Sequence, residues 1–107
     1  MEITQYSIVL VNLDPTIGSE IKKTRPCVVI SPDEMNKHLS TIIIAPMTTN
    51  LKRYPTRIVV EHDGEKGMVV IDQIRTVDKI RIQKNLGKLS KAEIKACKLV
   101  IKETFVD

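Results

Sequence analysis

The sequence predicts a mainly β protein: a small, strongly bent antiparallel barrel closed by a C-terminal α-helix. Three observations carry this. β-Branched residues dominate, with 15 Ile and 11 Val against 7 Leu and 3 Ala, and such side chains suit a pleated, half-buried surface while losing rotamer freedom in a helix. Short apolar runs alternate with turn residues at close intervals. The clearest helical periodicity lies at the end of the chain.

Residues 6–13 (YSIVLVNL) form a continuous apolar run that ends at the turn signal Asp14-Pro15. Residues 14–24 (DPTIGSEIKKT) are polar, contain a glycine and become basic, so they make a connection longer than most hairpin loops. Long ordered loops on small barrels often carry function. Residues 26–31 (PCVVIS) are the second strand, and Pro32-Asp33-Glu34 opens a short turn or single helical turn. The third strand is 40–46 (STIIIAP), followed by Met47-Thr48-Thr49-Asn50 and a basic loop through Arg53. Residues 57–62 are the fourth strand, and Asp63-Gly64 with Gly67 marks a tight hairpin. The fifth strand covers 67–74 (GMVVIDQI), and 79–83 is a short sixth. Ser90 with Glu93 three residues later is a capping box, each side chain satisfying a backbone N–H at the start of a helix. Ile94, Cys97 and Ile101 then share one face, and Lys91, Lys95, Lys98 and Lys102 form a separate stripe.

At 107 residues the chain fits one domain over 1–107 with a core of its own. No apolar run approaches the roughly 18–20 residues that span a bilayer, and the start MEITQYSIVL lacks the basic region and cleavage site of a signal peptide. Cys27 and Cys97 stand far apart in apolar contexts, without metal-ligand spacing, and read as buried thiols of a reducing cytoplasm. Aromatics are scarce, only Tyr6, Tyr54 and Phe105; this counts against a sheet that stacks bases on two or three rings. The net charge of +4 is uneven: residues 79–102 hold eight Lys/Arg against one Glu. That asymmetry fits an anionic partner, and equally a solvated face.

Several kinds of site are absent. There is no phosphate-cradling Gly-rich loop and no nucleophile elbow. His38 and His62 are isolated and read as surface histidines. An enzyme built on this chain works by positioning and electrostatics, with no cofactor and no metal. Arg25 stands where the basic loop enters a strand, and Pro26 biases it toward extended geometry. Its guanidinium either forks onto a phosphate or pairs with a carboxylate such as Glu20. Thr48 and Thr49 at a strand exit either donate to phosphate oxygens or simply make a turn. Asp72 and Gln73, inside a run that otherwise reads as a buried strand, either tie a loop to the barrel or read base edges.

Taken together, DPTIGSEIKKTRP at 14–26, IIIAPMTTN at 42–50 and GMVVIDQIRTVDK at 67–79 resemble the MazF/PemK family of toxin endoribonucleases from type II toxin–antitoxin pairs. The opening strand and terminal helix also correspond, so the resemblance spans almost the whole chain. It implies a compact SH3-like barrel, a homodimer, and metal-independent, sequence-specific cleavage of single-stranded RNA by attack of a 2′-hydroxyl on the adjacent phosphate. The family's arginine before proline falls on Arg25 and its threonine after the third strand on Thr48; with Glu20 these are the implied catalytic set. Ser19, Asp72 and Gln73 fall on positions that line the RNA groove in relatives, and Lys22, Lys23, Thr49 and Arg75 join them as implied RNA contacts. Some plasmid-borne members use an arginine two residues before the aspartate, where this chain has Val70, so the Arg25/Thr48 arrangement is the one to follow here.

The resemblance also implies an acidic, partly disordered antitoxin that folds across the RNA groove and touches the loop around residues 19–23. The dimer is further expected from apolar surface: Ile94, Cys97, Val100 and Ile101 on the helix, and the run 42–44, read as more than one monomer hides. Two other functions remain on this scaffold. Distant barrel toxins poison DNA gyrase by protein contact through a C-terminal helix tip, and a non-catalytic nucleic-acid-binding barrel would cleave nothing.

Overall fold

The computed structural model describes residues 2–13 and 24–106. The long loop expected at 14–24, including Ser19, Glu20, Lys22 and Lys23, lies outside the described residues except for Thr24. In chain order the elements are β1 (Ser7–Asn12), β2 (Thr24–Val29), α1 (Asp33–His38), β3 (Thr41–Thr48), β4 (Arg57–His62), β5 (Glu65–Val70), β6 (Arg75–Asp78), β7 (Ile82–Lys88) and α2 (Lys91–Phe105). The strands form a curled antiparallel sheet in the order β4-β5-β3-β2-β1-β7, with β6 also paired to β3. This is the predicted fold class, mainly β with a C-terminal helix.

Alternation along β1, β2 and β3 builds two cores rather than one. Ile8, Val28 and Ala45 point to one face, where Ile58, Val60, Val69, Ile71 and Leu89 join them under Cys97 of α2. Val9, Val11, Cys27, Val29, Ile42 and Ile44 point to the other, with Val77 of β6. Strands buried on both faces read as unbroken apolar runs rather than alternating ones, which is the pattern the sequence carries.

The curl has local causes. The β1–β7 ladder shifts register between Ile8 and Val9 and again between Leu10 and Val11, and such bulges bend a strand and increase its twist. β3 changes partner along its length: residues 41–44 pair with β6, and Met47 and Thr48 pair with β5. Pro46 stands at the change. Ile43 turns its N–H to Ser31 and its C=O to Ile30 on the β2 side, so by alternation the nitrogen of Pro46 faces the gap between β6 and β5. A residue with no N–H costs the ladder nothing there.

Helix α2 begins as predicted. The Ser90 hydroxyl accepts from the Glu93 N–H at 3.2 Å, and Glu93 Oε1 accepts from the Ser90 N–H at 2.9 Å. The β4–β5 hairpin is also as expected, with Asp63 at φ 52° and Gly64 at φ 78° in its tight turn, the left-handed pair that two-residue hairpins need.

Three expectations are corrected. The fifth strand does not run through 67–74: β5 ends at Val70, residues Ile71–Gln73 make a 3-10 turn, and β6 follows. Ile71 and Ile74 still face the first core, so the apolar run continues round a corner and conceals it. Residues 79–83 are a second 3-10 turn, Lys79–Arg81, and the entry to the longer β7. Among the described residues there are thus seven strands where six were predicted. Most of the apolar surface adduced for a dimer is also taken up within the monomer: Cys97, Ile42 and Ile44 are fully buried, and Ile94, Val100 and Ile101 are half-buried against the first core. No helix among the described residues is long and apolar enough to cross a membrane.

Candidate functional site

The β2–β3 ladder pairs Cys27 with Pro46 and Val29 with Ile44. Carried two residues further, this register sets Arg25 opposite Thr48, on the face of the second core. Arg75 belongs to the same face, because it pairs with Ile44 across β3 and β6. The thiol of Cys27 reports the charge gathered there. Burial pushes it up to about 12, while the nearby Arg25 and Arg75 guanidinium groups pull it the other way. The half-buried Arg25 is thus held on a strand with its neighbour Cys27 donating to its carbonyl at 3.6 Å.

Thr48 is fixed by its own loop. The Asn50 N–H donates to Thr48 Oγ1 at 3.1 Å, and the Lys52 N–H donates to Asn50 Oδ1 at 3.0 Å. Two successive side-chain turns of this kind order a loop without a strand partner. With its oxygen accepting from a backbone N–H, the hydroxyl of Thr48 keeps its proton to donate.

Asp72 and Gln73 do not lie inside a buried strand. They sit exposed in the 3-10 turn after β5. The Thr56 hydroxyl donates to Asp72 Oδ1 at 2.8 Å, and Arg57 Nε lies 3.6 Å from the same oxygen. Asp72 therefore ties the β3–β4 loop to the barrel, one of the two roles its sequence context left open. Thr49 lines a hollow of about 120 Å³ together with Thr48, Pro26, Met47, His62 and Gly67; Arg25 is not among the residues that line it. Ser19, Glu20, Lys22 and Lys23 lie outside the described residues.

The reading of His62 as a surface histidine is overturned. Its side chain is only 25% exposed, and a Cβ at Gly87 would come within 3.1 Å of its Cε1. His62 thus wedges β4 against β7 where the sheet closes on itself. Sequence reasoning also missed Arg57 and Tyr54, whose ring centroid lies 4.7 Å from the Arg57 guanidinium carbon. The only sequence signal was the basic run LKRYPTR at 51–57. Among the described residues no group of three or more His, Cys, Asp and Glu gathers to hold a metal ion.

Comparison with known proteins gives a consistent answer. The family profile described as PemK-like, MazF-like toxin of type II toxin–antitoxin system matches residues 4–105. An endoribonuclease MazF from Staphylococcus epidermidis is 34% identical over 98 residues, covering 86% of this chain and 82% of that protein. Among solved structures, a MazE–MazF complex from Deinococcus radiodurans aligns with TM-score 0.84 at 23% identity, over 97% of this chain and 96% of that one. The Mycobacterium tuberculosis toxin MazF-mt6 aligns with TM-score 0.78 at 22% identity, over 92% and 95%. At these identities the solved structures speak for the fold.

Proposed function

We infer that this chain, which belongs to the family of PemK-like, MazF-like toxins of type II toxin–antitoxin systems, is an endoribonuclease that cuts single-stranded RNA at short sequences without a metal. The observation that supports the mechanism is the β2–β3 register, Cys27 opposite Pro46, which when carried two residues further brings Arg25 opposite Thr48. The 2′-hydroxyl of one nucleotide attacks the adjacent phosphate, and negative charge builds on the non-bridging oxygens. Arg25 meets that charge with a forked guanidinium that can bond two phosphate oxygens at once. A preorganised donor aimed at a developing oxyanion contributes ~2.7–4 kcal/mol. Thr48 donates its remaining hydroxyl proton to the same phosphate and orients it. Arg75, on the same face, adds a further cation. Glu20 is the carboxylate assigned to this set, as base or as partner of Arg25, because an arginine is a poor base. The products are a 2′,3′-cyclic phosphate, or its hydrolysis product, and a 5′-hydroxyl.

The toxin acts in the cytoplasm, and an acidic, partly disordered antitoxin neutralises it by folding across the face that carries Arg25. The working unit is a homodimer. The apolar surface available to it includes Ile80 and, in the α2 region, Leu99, Phe105 and Val106, each more than half exposed. Incubation with a long mixed-sequence RNA in excess chelator tests the activity. Discrete fragments that persist in chelator support it; intact RNA with inhibited gyrase assigns the barrel to the poisons, and a requirement for magnesium overturns the mechanism. Light scattering tests the dimer, which a mass equal to one chain rejects.

A further inference from the structure

Tyr54 is 44% exposed and is nevertheless held in place. The Arg57 guanidinium lies 4.7 Å from its ring centroid and Lys52 Nζ 5.6 Å from it. Arg57 is in turn drawn to Asp72, which the Thr56 hydroxyl also holds. The backbone adds two ties: the Arg57 N–H donates to the Tyr54 carbonyl at 3.1 Å, and the Ile71 N–H to the Thr56 carbonyl at 3.0 Å. Pro55 stiffens the connection.

The register locates this ring relative to the reacting groups. Thr48 pairs with Met68, and Met68 with Val59, so the three form one row across β3, β5 and β4. Arg57 pairs with Val70, two residues along from that row and therefore on the same face as Thr48. Strands lie about 4.8 Å apart, so the ring braced on Arg57 stands on the order of 10 Å from Thr48. Between them Val59 is 40% exposed. Residues 47–60 contain Lys52, Arg53 and Arg57 and no acid. An exposed aromatic with cations around it and an apolar floor beside it is the chemistry that holds an unpaired base and its phosphates.

We propose that Tyr54 is the stacking seat for a base of the RNA strand flanking the cut bond, with Arg57 and Asp72 setting its ring and Lys52 taking the neighbouring phosphate. The proposal rests on the RNA-cleaving reading above and names a substrate-positioning residue for it. Asp72 then serves specificity indirectly, by aiming Tyr54, rather than by reading a base edge.

The chain has no tryptophan and two tyrosines, one of them the buried Tyr6, so a change in tyrosine emission on binding reports Tyr54 above the steady signal of Tyr6. The probe is a short mixed-sequence 2′-O-methyl oligoribonucleotide, which lacks the attacking hydroxyl, beside an abasic strand of equal charge. The oligonucleotide should quench the emission and the abasic strand should not; Tyr54→Phe should abolish the quench. In cleavage, Tyr54→Ala should raise KM about tenfold, within the range for losing one base–aromatic stack, with kcat near parent, and Tyr54→Phe should restore KM. If the parent cuts RNA but shows no base-dependent quench, or if Tyr54→Ala keeps the parent KM, the stacking seat is wrong while the nuclease stands. If the parent neither cuts RNA nor binds the oligonucleotide, the nuclease reading fails and takes the seat with it. Should Tyr54→Ala melt early, the quench decides alone.

Discussion

The two faces of the sheet are made by the same three strands, yet they end differently. The face of Ile8, Val28 and Ala45 is sealed by α2, whose first-turn residue Glu93, partner of the Ser90 cap, also grips the sheet by accepting from the Glu61 N–H at 2.8 Å. The face of Val9, Cys27 and Ile44 is just as dry in its middle but runs out, at the ends of β2 and β3, into Arg25 and Thr48. One face is finished by a helix and the other by charge. On the proposed mechanism this is how a small barrel carries a catalytic guanidinium: dry apolar rows stand behind it, and only the last residue of each row is given to chemistry.

Substitutions that touch one face and spare the other sharpen this contrast. Arg25→Ala should have the largest effect, lowering cleavage about a hundredfold or more, with thermal stability near parent and RNA binding reduced far less. A rate near parent would make Arg25 a structural strand-end residue. Thr48→Val removes one neutral donor and the acceptor for the Asn50 N–H, and should slow cleavage roughly tenfold; an unchanged rate would leave Thr48 as a turn residue only. On the sealed face, Ser90→Ala should cost about 1 kcal/mol of stability through loss of the cap, measured by denaturant unfolding, while each folded molecule cleaves as before. A fall in kcat matching the loss of Arg25 would mean the faces are not separable.

The smallest effect near neutral pH concerns the two thiols, one on each face. Cys27 and Cys97 are both pushed up to about 12, mainly by burial. A folded pKa above the unfolded one means that the native state holds its protons more tightly. The stability is therefore fully present below the unfolded thiol pKa and falls as the pH climbs from there toward 12. Melting temperatures followed upward from pH 8 should decline, and Cys97→Ala, though less stable at the outset, should decline less steeply. Equal slopes would remove the thiols from the account.

Much of this architecture was legible in the chain. Strands buried on both faces announce themselves as continuous Val/Ile runs, and Ser90 with Glu93 marks the helix start by local hydrogen bonding alone. What escaped detection was nonlocal. Ile71 and Ile74 carry the apolar run through a corner, because both still face the first core. β7 is mostly polar, with Ile82 and Leu86 its only half-buried apolar residues, and its bulges break the alternation that would have revealed it. Arg25 and Thr48 were each visible as strand-end residues, but only the extension of the β2–β3 register beyond Cys27 and Pro46 brings them opposite one another. Tyr54, Arg57 and Asp72 meet because a 3-10 turn brings residue 72 back beside a loop 15 to 18 positions earlier, and His62 faces Gly87 because the sheet curls. No spacing along the chain encodes either meeting.

Glu93 has a consequence beyond the helix it starts. β4 is the last strand in its direction, and an unpaired strand edge offers its N–H groups to any extended chain that meets it. With Oε1 on the Ser90 N–H and Oε2 on the Glu61 N–H, a single carboxylate begins the helix and occupies a donor on that edge. It does so with a negative charge, which an approaching strand would have to displace and leave unsolvated. Protection against strand-by-strand aggregation is thus built into the same residue that nucleates the final helix.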